Sequence, residues 1–469
     1  MKKPVSLALK GGSYSLAVTA VVLAILIVVN IFASTLPSSI TKLDISSSKL
    51  YSITSNTKAV VNNLQQDVTI YWIVQADMED SIIENLLSKY ESLSDHIEVV
   101  KKNPDVFPTF TQSYTDETVP NNSLIVESGE RYRYISVNDI YLSEDAYSYY
   151  ATDFDGEGAI TSAIDYVVTE DLPQLYVLQG HGEADLPATF ADAIEKENIE
   201  TVALSLLAVD EIPEDADALL IYAPQSDITT EEADMLTDYA DNGGKLLVMA
   251  GPVEGAELTN LHSVLNHYGV TVTEGIVVEN DRNYYAFGYP YVLMPDMASH
   301  AITDPLIEDR YYPIFPIAQG LDVSGATAEV TELLGTSSFS FSKVAGFELD
   351  TYEYEDGDIE GPFTLGVSIA TENEGQIVWF SASDFLGDMY NAYSSGANVD
   401  LAMNAMSALM GEREAIAIRS KSLNYNYLTI NESTASTLKF LMIGVFPLMY
   451  LAVGIFVIIS KRKVQNEAV

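Results

Sequence analysis

The sequence predicts an α/β protein: two extracytoplasmic α/β domains held between two transmembrane helices. Three observations predict it. An uncharged apolar run stands near each end of the 469-residue chain. Between the two, β-branched and aromatic runs alternate with segments of helical apolar spacing, the pattern of sheets covered by helices. Hydrophobic residues make up 48% of the chain and aromatics 10%, enough to fill such cores and too much for a disordered chain.

The first apolar run, residues 14–36, is uncharged, and about 20 residues suffice to cross the hydrocarbon core. A cleaved signal peptide is the competing reading, but its apolar stretch would be only about 7–15 residues. The second predicted span covers residues 438–460, uncharged from Phe440 to Ser460. Pro447 inside it predicts a kink, and Gly444 and Gly454 offer small positions against which another helix can pack. Lys2, Lys3 and Lys10 precede the first run; Lys461, Arg462 and Lys463 follow the second. Short basic flanks stay in the cytoplasm. Residues 1–13 and 461–469 are therefore expected as cytoplasmic tails of a two-pass protein of the cell membrane, with everything between the spans outside.

Lysine and arginine number 23 against 68 aspartates and glutamates, a net charge of −45. Nucleic acid is excluded as a partner, because a phosphate backbone needs clustered cations. There is no cysteine, which excludes disulfides, thiolate nucleophiles and thiolate metal sites.

The first domain is placed at residues 42–150. Thr54 begins a set of cap residues for a short helix ending near Leu64. Val68 to Val74 reads as a buried strand. Ser81 to Leu93 carries Ile82, Ile83, Leu86, Leu87, Tyr90 and Leu93 at helical spacing. Further strands are expected at residues 97–100, 123–126 and 132–137. This order suggests a unit of thioredoxin-like size, ended by a polar loop over residues 143–155.

The second domain is placed at residues 156–415. A helix over residues 159–168 opens it, and a strand over residues 175–178 runs directly into Gly180-His181-Gly182-Glu183. Pro187 then sits in a first helical turn, with Asp185 as its cap. Residues 218–222 and 245–250 read as strands. Between them Thr229 and Glu232 form a capping box and Asn242-Gly243-Gly244 ends the helix. Residues 271–343 read as a Tyr- and Pro-rich insertion. Residues 376–381 return as a core strand, and residues 401–410 as a helix. Trp72 and Trp379 are expected in the cores.

Among these features Gly180, His181, Gly182 and Glu183 form the best candidate ligand site. They leave a strand's carboxyl end and open a helix, where open α/β sheets bind ligands. His can serve as base or ligand and Glu as acid or ligand, and the glycines let a ligand approach the backbone. A tight turn bonded only to neighbouring loops is the structural alternative. Tyr284, Tyr285, Tyr289 and Tyr291 form a candidate partner or glycan surface, since tyrosine is both apolar and hydrogen-bonding. Asp153-Phe154-Asp155-Gly156-Glu157 resembles part of a calcium loop, but Ala151 stands where an earlier oxygen ligand is needed. The acidic run from Glu353 to Asp358 is expected at a hairpin tip in solvent. No GxxxxGK[ST] or HExxH motif is present, so ATP hydrolysis must come from another chain and no metal or cofactor is expected.

Taken in order, several segments resemble one family. They are Leu50-Tyr51-Ser52-Ile53-Thr54, the run from Gly156 to Ile164 (GEGAITSAI), and the run from Tyr176 to Glu183 (YVLQGHGE). Pro224-Gln225-Ser226-Asp227-Ile228 and the run from Asn242 to Val248 (NGGKLLV) follow. Asn398, Asn404 and Lys421-Ser422-Leu423 complete the set. The chain is similar to the auxiliary component of gliding-motility-type ABC transport systems. That family's second domain resembles one in an intraflagellar transport protein and in an oligosaccharyltransferase subunit, and its fold resembles the class I glutamine amidotransferase domain. Without a cysteine, amidotransferase chemistry is excluded here. The resemblance implies a non-enzymatic accessory subunit partnered by a membrane permease and a separate ATPase, with export as the expected direction. An envelope glycan-binding or scaffold protein independent of a transporter is the alternative, and a hydrolase using His181 and Glu183 comes third.

Overall fold

The computed structural model describes residues 18–29, 50, 52–143, 151–411, 421–423 and 439–466. The chain divides into two compact units, Met1–Ser422 and Leu423–Val469. In the second, a π-helical turn at Leu441–Val445 leads into the helix Phe446–Asn466. The irregular turn falls where Pro447 has no N–H to return to the carbonyl of Ile443. Among the described residues no helix is long and apolar enough to cross a membrane. The first predicted span is described over residues 18–29 only, which are helical. Residues 14–17 and 30–36, like the predicted tail 1–13, lie outside the described residues.

From residue 52 onward the first unit runs through α1 (Ser55–Asn62), capped by the Thr54 hydroxyl, and β1 (Val68–Ile73). Next come α2 (Ser81–Leu93), β2 (Ile97–Lys102), β3 (Ser123–Ser128) and β4 (Arg131–Ile135). Asp80 fixes the start of α2 by accepting from the N–H groups of Ile82 and Ile83 at 2.8 and 3.0 Å. The sheet order is β2-β1-β3-β4, with β1 parallel to β2 and the other pairings antiparallel. Trp72 lies buried in β1.

Helix α3 (Gly156–Val168), expected to begin the second domain, packs against β3 and β4. Ile160, Ile164 and Val167 are buried there, and the guanidiniums of Arg131 and Arg133 lie 4.5 and 4.2 Å from the Tyr166 ring.

The larger sheet is built from β5 (Gln174–Leu178), β6 (Glu200–Leu204), β7 (Ala218–Tyr222), β8 (Lys245–Met249), β9 (Glu329–Gly335), β10 (Thr364–Ala370) and β11 (Gln376–Phe380). Helices α4 (Ala188–Lys196), α5 (Thr230–Asp241), α6 (Thr259–His267) and α7 (Ala397–Leu409) accompany it. The parallel strands run β6-β5-β7-β8-β11, and β10 then pairs antiparallel with both β11 and β9. Two buried clusters flank the sheet, one containing Phe315, Phe380, Phe385 and α7, the other Leu236, Leu265 and Trp379.

One sequence expectation changes here, and the structure fills in two others. Within residues 271–343, Thr271–Val272, Leu321–Asp322 and β9 all join the large sheet. Asp185 does not cap α4, whose N-cap is Pro187. Instead Asp388 accepts from the N–H and hydroxyl of Thr189 at 3.0 and 2.8 Å. The acidic run is the largely exposed tip between the antiparallel strands Phe341–Lys343 and Ile359–Glu360, as expected, and its inner side folds over the fully buried Lys343. That ammonium meets Glu355 at 2.5 Å, Asp358 at 2.9 Å and the Glu353 carbonyl at 3.0 Å. A lysine buried among apolar residues needs such partners, and the loop supplies them.

Candidate functional site

In chain order the parallel strands β5, β6, β7, β8 and β11 take positions 2-1-3-4-5 across the sheet, so the order reverses between β5 and β7. In such sheets ligands bind outside the carboxyl ends of the strands at this reversal. Gly180-His181-Gly182-Glu183 leaves β5 there, and Ala223-Pro224-Gln225 leaves β7 beside it. The two turns are bonded together. The His181 carbonyl accepts from the N–H groups of Gln225 and Ser226 at 3.1 and 2.9 Å, and from the Ser226 hydroxyl at 3.0 Å. Gly182 has φ +74°, and a Cβ there would lie 3.3 Å from Gln225, so glycine suits the turn on both counts.

The polar side chains of the turn point inward. Glu183 Oε2 accepts from the N–H groups of Gly180 and His181 at 3.0 and 2.8 Å. The imidazole sits between two carboxylates, with Nε2 3.1 Å from Glu232 Oε2 and Nδ1 3.4 Å from Glu183 Oε1. The second contact is within ion-pair reach but is not aligned as a hydrogen bond. Glu232 comes from the first turn of α5, where the same Oε2 accepts from the Thr229 N–H at 2.8 Å in the capping box. The side chains of His181, Glu183 and Glu232 are 6%, 6% and 3% exposed. The crevice is thus filled by the protein's own groups, and a ligand could reach the imidazole only if Glu183 or Glu232 moved away.

A second cluster was not anticipated. Glu157, at the start of α3, is buried, and its Oε1 accepts from the Thr54 N–H at 2.6 Å, the Thr54 hydroxyl at 2.8 Å and the Thr57 hydroxyl at 2.7 Å. Its Oε2 lies 2.7 Å from the Lys421 ammonium, which also donates to the Ser52 carbonyl at 2.7 Å. Thr161 joins Thr57 at 3.0 Å and Tyr90 at 2.6 Å. Burial alone would push the Glu157 carboxyl up, but Lys421 and the hydrogen bonds from Thr54 and Thr57 outweigh it and hold it below the usual carboxylate range. A three-stranded patch of Tyr141–Leu142, Asp153–Phe154 and Lys421–Ser422 seats the lysine. Three of the segments that carry the family resemblance, Ser52 to Thr54, Gly156 to Ile164 and Lys421-Ser422, therefore meet at one carboxylate. Their recurrence in order along the sequence was the available signal; that they touch was not.

The calcium-like run is taken up by this arrangement. Asp155 pairs with Lys196 at 2.6 Å and Glu157 forms the cluster just described. Among the described residues no group of three or more His, Asp or Glu side chains is placed to hold a metal ion.

The four candidate tyrosines lie in one hairpin and make different contacts. The Tyr284 hydroxyl donates to Asp296 at 3.0 Å, and Tyr285 lies beside Arg282. Tyr289 and Tyr291 do come together, with ring centroids 5.7 Å apart, and Tyr352 joins Tyr291 at 5.5 Å.

Residues 172–405 match the family described as "ABC-type uncharacterized transport system", and residues 47–142 match one described as "Domain of unknown function (DUF7088)". No curated protein matches the chain. Among solved structures, one titled "mmIFT52 N-terminal domain" is similar at 17% identity, over 51% of this chain and 98% of that one, with a TM-score of 0.38. A glutamine amidotransferase from Thermotoga maritima is similar at 9% identity, over 52% of this chain and all of its own, with a TM-score of 0.31.

Proposed function

We propose that this protein is a membrane-anchored, non-enzymatic accessory subunit of a gliding-motility-type ABC transport system. Both termini lie in the cytoplasm, and the α/β region meets an extracytoplasmic substrate or envelope partner. A permease, driven by a separate ATPase, moves the two membrane segments, and the α/β region carries that movement outward in the export direction. The family match supports the accessory role in ABC transport. The strand orders support reading the first sheet as thioredoxin-like and the second as an amidotransferase-like layer without its nucleophile.

The observation that carries the mechanism is the cluster at Glu157. The chain leaving the first apolar segment (Ser52, Thr54) and the chain approaching the second (Lys421) are held by the same buried carboxylate. Displacement of either segment therefore acts on the start of α3, which packs against the first sheet and touches α4 of the second. The non-enzymatic reading is supported by the burial of His181 between Glu183 and Glu232, which leaves its side chain only 6% exposed to a substrate.

The test is affinity purification of the full-length protein from its native membrane in mild detergent, followed by mass spectrometry. Stoichiometric recovery of a permease and an ATPase is expected. Recovery of the protein alone, under conditions that keep other ABC complexes intact, would overturn the proposal.

A further inference from the structure

Residues 284–294 form a tight hairpin. Met294 N–H donates to the Tyr284 carbonyl at 2.7 Å, Ala286 N–H to Val292 at 2.8 Å, and Tyr289 N–H to Ala286 at 3.0 Å. Phe287 and Gly288 are the two central residues of the turn, at φ +57° and +78°. A turn with both central residues at positive φ favours Asn or Asp followed by Gly. Gly288 fits that requirement. Phe287 does not, because a bulky side chain at positive φ costs steric energy. Nor does burial offset the cost, since Phe287 is 54% exposed. A local rule broken at a position left more than half exposed, with a single ring contact to Tyr393 as its gain, marks a residue kept for what it presents.

Phe287 heads a wider aromatic face. Its ring lies 4.7 Å from that of Tyr393, and Tyr390 packs in the same small cluster as Tyr291, which links Tyr289 and Tyr352. Tyr289, Tyr393 and Met389 are each more than half exposed. Carboxylates border the face: Asp384 acts electrostatically on Tyr390, and the exposed Asp350 and Glu353 flank Tyr352 in sequence. The nearby cations are engaged, Arg282 with Tyr285 and Lys343 beneath its own acidic loop.

We propose that this face docks an arginine-bearing segment of a protein partner. Ring faces carry negative potential and the bordering carboxylates add charge, so a flat, weakly hydrated guanidinium matches both. A second copy of this chain, with the same net charge of −45, would be repelled, as would an anionic lipid surface. The proposal rests on the accessory-subunit reading, and names the chemistry of the partner that the α/β region would meet.

The experiment uses the full-length protein in nanodiscs of neutral lipid, at physiological salt. The probes are labelled octa-arginine, octa-lysine as a charge-matched comparator, and maltoheptaose as a neutral glycan. Diffuse attraction to an acidic protein acts on both peptides alike, so the quantity read is the preference for arginine. Wild type is expected to prefer octa-arginine roughly tenfold, the scale of a few exposed cation–π contacts. Phe287→Asn suits the turn, so thermal stability should hold or rise while the preference falls. Tyr289→Ala/Tyr352→Ala/Tyr393→Ala should abolish it, and Tyr132→Ala, an exposed ring on the first sheet, should leave it intact. No preference in wild type, or a preference that survives Phe287→Asn and the triple substitution, would overturn the proposal. Maltoheptaose binding that the same substitutions abolish would assign the face to a glycan and likewise overturn it. Failure of the accessory-subunit reading looks different: wild type would then recover no permease or ATPase, whichever peptide it binds.

Discussion

Lys421 and Glu157 stand 264 residues apart in sequence and 2.7 Å apart in space. The lysine reaches back further still, to the Ser52 carbonyl. One ion pair thus ties the chain around Ser52 and the chain at Lys421 to the start of α3. Both partners are shielded from solvent, with side chains 12% and 2% exposed, so the pair is not weakened as a surface pair would be.

Removing one partner of a buried pair leaves a charge without compensation, at about 3–5 kcal/mol. Glu157→Gln should lose stability on that scale, and Lys421→Met toward its lower end. The double variant should lose less than the two losses combined, as residues in one network do. Urea denaturation of all four proteins measures the coupling. Strict additivity would show that Glu157 and Lys421 do not act as a pair.

Asp155 and Glu157 give stability opposite dependences on pH. Burial pushes the Asp155 carboxyl up to about 6, in spite of Lys196. Desolvation acts mainly on the aspartate because its side chain is 3% exposed, against 32% for the lysine. The folded state therefore holds that proton more tightly than the unfolded chain, and stability falls as pH rises from about 4 to about 6. Glu157 is held below its unfolded value, so its contribution is complete above that value and is lost as pH falls through its folded one. Asp155→Asn should remove the fall between about pH 4 and pH 6 and keep the acid loss. An unchanged profile in the variant, followed by denaturation across that range, would refute the assignment.

Glu232 both caps α5 and faces His181. Thr229→Ala removes the cap alone and should cost about 1 kcal/mol. Glu232→Ala also strands a buried imidazole, which adds about 1–3 kcal/mol. If the two variants have equal denaturation midpoints, the His181 contact contributes nothing.

Lys343→Met keeps the volume of the buried stem and removes the charge that gathers Glu355 and Asp358. The acidic loop should then leave the surface. A glutamate-specific protease should cut near Glu353 and Glu355 faster than in wild type, with the large sheet remaining folded. Equal cleavage rates would mean that the loop is held by something else.

Where a segment's fate depends on its own residues, the sequence read correctly. Ala218 to Tyr222 is apolar throughout and lies in the middle of a parallel sheet, buried at every position. Thr229 and Glu232 have capping-box spacing and form the box. Edge strand β6 was missed because most of its residues are exposed and only Leu204 is buried, so it carries no apolar run. The strands of residues 271–343 were missed for a related reason, being short pieces whose partners lie far along the chain.

The candidate site divides in the same way. Gly180 to Glu183 was placed correctly at the end of a strand, because Gly-X-Gly after a β run signals a tight turn. Its burial was not legible, since the residue that closes it, Glu232, comes from another helix and already had a local role. By itself, then, the sequence determined the elements with their own apolar pattern, the capping box at Thr229 and Glu232, the absence of cysteine and the acidic character, all of which follow from residue type and short-range spacing. Only the tertiary structure decided that His181 is enclosed, that Lys343 lies under its acidic loop and that Ser52, Glu157 and Lys421 meet. Those are pairings of polar groups across long stretches of chain, and they are set by which surfaces exclude water once the sheets have packed.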